Sequence, residues 1–386
     1  MTILIAAPII FYSVNDRTNA MTNAVITQNI VQSMTPPLEG ISQMAYYDGT
    51  RLLSMLDLDG NRPEIYLCTT NRTGGKTTWF GKRMVEGYIQ RGEKFMLLYR
   101  YSYELDQVAD KFFKDIGPLF FRGHEMESAK RSKGIYHELF MDGESCGYAV
   151  ALNCADSVKK ISHLLSDTSC MLLDEFQSET GHYCKDEVAK LMSVHTSVAR
   201  GKNKQVRYVP VYMLSNAVTL LNPYYTALGV CDRLRSDTKF LRGHGWVLEQ
   251  GHVESAAKAQ AESAFNRAFA SEQYAAYSAQ NVYLNDSTAF IGTPHGKSSY
   301  LCTLRYDGCD YGVREYREAG VIYCDRRPDA SFPTRVSVTT DDHRVNYVML
   351  RSNTAILGAL RWYFDNGAFR FKDQRCKEAV LRALSL

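Results

Sequence analysis

The 386 residues are 45% hydrophobic and 23% charged, the balance of a folded globular protein rather than a disordered or fibrous one. That length suits two domains with a short accessory region. The net charge of +3 permits a locally basic surface for nucleic acid without requiring one. The ten cysteines include no C-x-x-C pair, which argues against a zinc ribbon or redox motif and fits free thiols in a reducing cytoplasm.

The opening stretch MTILIAAPIIFYSV is apolar, lacks a basic leading region and is too short to cross a bilayer. It is expected to be a buried strand or packing segment of an intracellular protein with no membrane partner. Residues 1–60 show weak periodicity and a loop at MTPPLEG, and are expected to form an N-terminal extension of unassigned role. From Pro63 onward the short apolar runs EIYLCTT, KFMLLYR, SCMLLDE and YVPVYMLSN alternate with helical patterns. The helices include KTTWFGKRMVEGYIQRG and SYELDQVADKFFKDI. Unalternated apolar runs separated by helices predict strands buried on both faces of a mainly parallel sheet. Residues 61–248 are therefore expected to be an α/β nucleotide-binding domain. Residues 249–285 are rich in Ala, Glu, Gln and Lys, and predict a helical linker or lid. In 286–386 the runs SYLCTLRY, YGVREYR, AGVIYCD and RVSVTT read as short strands and NTAILGALRWYFDNG as a helix, a small α+β domain.

The run TTNRTGGKTT (69–78) lies between a predicted strand and a predicted helix. A P-loop works in that position because backbone N–H groups and the positive end of the helix converge on phosphate oxygens. Thr73, Gly74, Gly75, Lys76, Thr77 and Thr78 are candidate nucleotide-binding residues. Lys76 would reach the β- and γ-phosphates of ATP, and Thr77 would hold Mg²⁺. Thr70 stands where the motif G-x-x-x-x-G-K-[ST] has its first glycine, so the loop alone is equally readable as a structural turn. The strand CMLLDEF (170–176) ends in two carboxylates. Asp174 is the candidate for the Mg²⁺ shell, and Glu175 for orienting the attacking water. Both elements, in this order within an α/β pattern, predict an ATPase.

A third strand ends in Ser215 and Asn216, at the edge where open α/β sheets bind ligands. This pair is a candidate for coupling the state of the γ-phosphate to the rest of the chain. Before it, the basic loop SVARGKNKQVR offers Arg200, Lys202, Lys204 and Arg207 as DNA contacts or as an arginine finger for a neighbouring subunit.

With these residues in place, the chain resembles the DNA-packaging ATPases (encapsidation proteins) of small phi-29-like tailed phages, relatives of large terminase subunits. The resemblance rests on NRTGGKTT, FMLLYRYSYELDQVADKFFKDI, MLLDEF, YMLSNAVTLLNPYY, and TTDDHRVNYVMLRS with NGAFRFKD, and covers the chain from about residue 60. It implies an ASCE-type, terminase-like P-loop NTPase domain followed by a small ribonuclease-H-like domain. It also implies an ATP- and Mg²⁺-dependent motor that drives double-stranded DNA into a procapsid through its portal. The motor would be a homomeric ring, a pentamer, working in the host cytoplasm and absent from the mature virion, with a packaging RNA as a possible further partner. On the same ground Arg100 is expected at the nucleotide, Arg72 at the nucleotide or a neighbouring subunit, and Arg200 as the trans-acting catalytic arginine, with Lys202 as the fallback. Lys202, Lys204 and Arg207 remain candidates for DNA.

In large terminases the last domain cuts DNA with two metals, and the first metal-binding acid sits inside the first strand. Here SYLCTLRY has none, and Asp307, Asp310, Asp325, Asp341 and Asp342 fall in turns or at strand ends. The domain is therefore expected to have lost cleavage while offering Arg305, Arg314, Arg326, Arg327 and Arg335 to DNA. Two alternatives stay open: a terminase with an active nuclease, and a nucleic-acid-binding assembly protein with a degenerate nucleotide site.

Overall fold

The computed structural model describes residues 46–201, 205–231, 233–234, 238–270 and 290–385. The apolar opening stretch lies outside them.

The predicted strands form where expected: β1 (Ile65–Thr69), β2 (Lys94–Tyr99), β6 (Thr168–Asp174) and β7 (Val211–Ser215). Helices α2 (Lys76–Arg91) and α3 (Ser102–Phe120) follow the first two. The strands join a nine-stranded sheet of order β3-β4-β5-β2-β6-β7-β1-β9-β8. The six central strands, β5 to β9 in that order, are parallel. The outer pairings, β3 with β4, β4 with β5 and β8 with β9, are antiparallel, and these five strands were not read from the sequence. They are β3 (Met126–Arg131), β4 (Tyr136–Met141) and β5 (Glu144–Ala151) on one side. On the other are β8 (Phe240–Gly243) and β9 (Trp246–Gln250).

Both faces of the parallel region are covered. Leu67, Met96, Leu173 and Met213 pack on one side with α5 (Glu187–Val198) and α6 (Pro223–Ala227). Tyr66, Cys68, Leu97 and Leu172 pack on the other with Phe80 and Met84 of α2 and Phe112 and Ile116 of α3. Each such side chain, fully withdrawn from water, contributes about 2 kcal/mol. Gly147 of β5 pairs with Phe95 of β2. A Cβ there would stand 2.3 Å from the Phe95 carbonyl oxygen, so any larger residue would part the two strands.

The domain begins earlier than residue 61. Tyr47 and Leu52, the latter on α1 (Thr50–Ser54), are buried in the same core. Asp57 Oδ2 accepts the Gly245 N–H at 2.9 Å, fastening this segment to the β8–β9 turn. The expected 1–60 extension is thus corrected from Tyr46 onward. The expected linker starts later than residue 249. Glu249 and Gln250 finish β9, and the helices are α7 (Glu254–Glu262) and α8 (Ala264–Ala268).

The last domain has its own core around Leu304, Val313, Cys324 and Phe369. Strands β10 (Ser299–Tyr306), β11 (Cys309–Tyr316) and β12 (Val321–Asp325) form an antiparallel meander. Next to β10, in parallel, lie β13 (Arg335–Ser337) and then β14 (Val348–Met349), and β15 (Phe369–Phe371) joins β12. Helices α9 (Thr354–Asp365) and α10 (Gln374–Leu384) cover the sheet. None of the ten cysteines is in a disulfide. No described helix is long and apolar enough to cross a membrane.

Candidate nucleotide site

The order β6-β7-β1 brings three strand ends to one edge: the P-loop after β1, Asp174 and Glu175 at the end of β6, and Ser215 and Asn216 at the end of β7. Parallel strands make this convergence automatic, since every carboxyl end faces the same way.

Gly75 turns the chain into α2 with φ 89°, a left-handed conformation, so the N–H groups of the first helical turn are presented to the loop. Gly74 is tightly enclosed: a Cβ would lie 3.0 Å from the Val253 side chain and 3.1 Å from the Thr70 hydroxyl. Thr73 occupies the left-handed region at φ 59° without being glycine, a costly conformation for a β-branched residue. Its hydroxyl, hydrogen-bonded to the Arg72 carbonyl at 2.7 Å, helps hold it. Thr73→Gly should raise folding stability by about 1 kcal/mol, read as a higher melting temperature.

The loop is braced instead by residues the sequence did not mark. Buried Asn71 clasps the start of the α7 segment, accepting the Val253 N–H at 2.8 Å and donating to its carbonyl at 3.1 Å. Tyr47 N–H donates to the Gly74 carbonyl at 2.8 Å. Tyr46 lays an exposed ring against Gly75.

The polar groups already face one another. Lys76 Nζ donates to Asn216 Oδ1 at 2.7 Å, and Thr77 Oγ1 donates to Asp174 Oδ2 at 2.8 Å. Burial pushes the Lys76 ammonium below its usual range, and Asp174 opposes that shift. Glu175 is itself left-handed, φ 53°, and its N–H donates to Asp174 Oδ1 at 2.9 Å. Its side chain is solvent-accessible yet crowded by protein. Desolvation first, and then Asp174 and Glu179, raise its carboxyl above the ordinary glutamate range. Such off-region backbone clusters at catalytic sites. Beside it, Thr77, Thr78, Tyr99, Arg100, Asp174 and Glu175 line a cleft of about 520 Å³.

A family model for the podovirus DNA encapsidation protein (Gp16) matches residues 42–384. The chain belongs to that family. The DNA packaging protein of Bacillus phage phi29 is 26% identical over 294 residues, 75% of this chain and 84% of that protein. That of Bacillus phage B103 is 24% identical over 304 residues, 78% and 90% of the two chains. The fold also matches a chain of the bacteriophage phi29 viral genome packaging motor assembly, with TM-score 0.64 and 24% identity, covering 88% of this chain and 97% of that one.

Within this encapsidation-family site, several of the expected residues already have protein partners. Arg72 forms an ion pair with Glu179, tying the P-loop to the loop after β6. Arg100 lines the cleft, but its Nε donates to Glu187 at 2.8 Å and its Nη2 to the carbonyls of Glu175 and Phe176 at 3.3 and 3.1 Å. In both cases a carboxylate distant in sequence pairs with the guanidinium, the half-buried Glu179 and the buried Glu187. Glu187, unmarked in the sequence, also accepts from the Tyr224 hydroxyl at 2.8 Å and the Cys184 N–H at 2.9 Å. Arg207 is anchored as well. Its two terminal nitrogens bind the Thr168 and Val198 carbonyls at 3.0 and 2.8 Å, holding loop to sheet. Arg200 is exposed just after α5, and Lys202 and Lys204 lie outside the described residues.

In the last domain, Arg305 of β10 is buried and paired with Asp310. Arg314 pairs with Asp325, and Arg326 with Asp373. Arg335 donates to the Phe332 and Ala330 carbonyls. These four are thus internal ties rather than the open basic surface expected. Asp342 accepts the N–H groups of Asp307 and Gly308 at 3.1 and 2.8 Å, as a turn-closing residue does.

Proposed function

We propose that this chain is the ATP-hydrolysing subunit of a viral DNA-packaging motor. The observation that carries the reading is the meeting of Lys76 with Asn216 and of Thr77 with Asp174 at one sheet edge, in a chain of the encapsidation family.

ATP phosphates would seat on the N–H groups from Gly75 onward, with Lys76 exchanging Asn216 for a phosphate oxygen. That exchange frees Asn216 at the end of β7, giving the strand a signal that depends on nucleotide. Thr77 Oγ1 and Asp174 Oδ2 are hard oxygen donors 2.8 Å apart. They fit Mg²⁺, which when bound with nucleotide would neutralise phosphate charge. Glu175 accepts the proton of the attacking water, and its raised basicity suits that task.

The substrate moved is double-stranded DNA, the docking partner is the portal of a procapsid, and the working form is a homomeric ring, a pentamer, assembled in the host cytoplasm. The motor assembly named for the matched phi29 chain supports this reading, as does exposed Arg200, suited to reach a neighbour's nucleotide. A packaging RNA is a further candidate partner. The last domain reads as ribonuclease-H-type, from the sheet order β12-β11-β10-β13-β14. Arg305 within its first strand, and Asp310, Asp325 and Asp342 engaged in ion pairs and turns, support a domain without cleavage.

Packaging of DNA into purified procapsids tests the whole reading. Wild-type chain should drive nuclease-protected uptake and Lys76→Ala should not; equal uptake by both would overturn it. Arg200→Ala should lose DNA-stimulated turnover alone, yet regain part of it when mixed with Glu175→Gln subunits. Full turnover by Arg200→Ala alone would remove the finger assignment.

A further inference from the structure

We propose that a pocket at the end of the nine-stranded sheet opposite the P-loop holds the phosphates of a nucleic-acid backbone. The amino ends of β1, β6 and β7 open onto a pocket of about 460 Å³ lined by Arg62, Arg83, Arg91, Arg207, Glu93 and Tyr208. It lies a strand length, about 17 Å, from the nucleotide edge. Four guanidinium groups thus share one cavity with a single carboxylate.

That carboxylate is spoken for: Glu93 Oε2 accepts from Arg91 Nη2 at 2.7 Å. Arg62 and Arg83 are exposed at the rim and have no carboxylate partner among the described residues. Arg62 is held in place, with its Cζ 4.3 Å from the centre of the Tyr208 ring. That ring is fixed in turn, because the Tyr208 hydroxyl donates to the Pro63 carbonyl at 2.8 Å. Arg207 is anchored by the Thr168 and Val198 carbonyls, and its buried Nε has no partner among the described residues. Three of the four cations are therefore oriented before any ligand arrives, which lowers the entropic cost of binding.

Planar guanidinium forks favour phosphate, which two N–H groups can grip at once. The pocket opens at the surface, where guanidinium contacts to phosphate would position a backbone without carrying sequence information. A chain crossing the pocket would meet Arg62 and Arg83 first. The proposal rests on the packaging reading only for the identity of the polyanion.

The test compares Arg62→Glu/Arg83→Glu with Lys159→Glu/Lys160→Glu, an equal charge change at exposed positions on the short helix α4 (Ala155–Lys160) outside the pocket. Each binds a 30-bp DNA duplex and a 30-bp RNA duplex over a salt series, with thermal melting as the check on folding. The pocket variant should lose about tenfold or more in affinity, and its salt slope should fall by about two, one per phosphate released. Arg62→Lys/Arg83→Lys should keep most of the slope. Loss confined to one duplex names the polyanion. Equal loss in the Lys159/Lys160 control, or an unchanged slope in the pocket variant, would overturn the pocket. Failure of the wild type to bind either duplex would instead overturn the packaging reading.

Discussion

Glu175→Gln should lower the turnover number for ATP by about 10²- to 10⁴-fold while leaving nucleotide affinity within a few-fold of wild type. The substitution keeps the size of the side chain and its ability to orient a water, and removes only the basic oxygen. The backbone reasons for the position are untouched. Glu175 holds its left-handed φ of 53° because its N–H is taken by Asp174 and its carbonyl by Arg100, and neither bond uses the side chain. Thr77, Asp174 and Lys76 keep their mutual contacts, so nucleotide should still seat. A quenched-flow burst with labelled ATP, paired with a fluorescent-nucleotide titration, measures both quantities. Loss of binding equal to the loss of turnover would assign Glu175 to the cradle instead of the chemistry.

The legible part of this protein is the part governed by periodic burial. Strands covered on both faces must be apolar throughout, and EIYLCTT, KFMLLYR, SCMLLDE and YVPVYMLSN announce themselves for that reason. Motif residues at their carboxyl ends follow, because a parallel sheet gathers those ends. The antiparallel flank gave no comparable signal. MESAKR is polar as an edge strand can be, and ESCGYAVA depends on Gly147, whose need arises only from the Phe95 carbonyl across the sheet. Arginines were the least legible residues. Arg72, Arg100 and Arg207 each sit in loops or at strand ends that suit a phosphate contact. Each is engaged by groups that its local sequence does not announce: Glu179, Glu187, or the carbonyls of Thr168 and Val198. A charge read from a sequence carries no information about which carboxylate the fold will set beside it. Asn71 was silent for the same reason, since its partner Val253 lies across the domain.

Glu187→Ala should be strongly destabilising in the ATPase domain, costing roughly 3–5 kcal/mol. The Glu187 carboxylate is fully buried, and the Arg100 side chain is only 11% exposed. Truncation therefore leaves a desolvated guanidinium without its counter-charge, and also strands the Tyr224 hydroxyl and the Cys184 N–H. Removing both charges together, as Arg100→Met/Glu187→Met, should recover much of that loss, because two apolar groups replace two charges whose desolvation was costly. Activity should not recover with it. In the double variant nothing grips the carbonyls of Glu175 and Phe176, so the turn that aims Glu175 loosens. A misplacement near 1 Å costs about 10²-fold in rate. Chemical denaturation and steady-state ATPase on the same three proteins separate the effects. Stability should return in the double variant while the turnover number stays low and KM for ATP holds. Parallel recovery of both would reduce Arg100 and Glu187 to a packing pair, with no part in positioning Glu175.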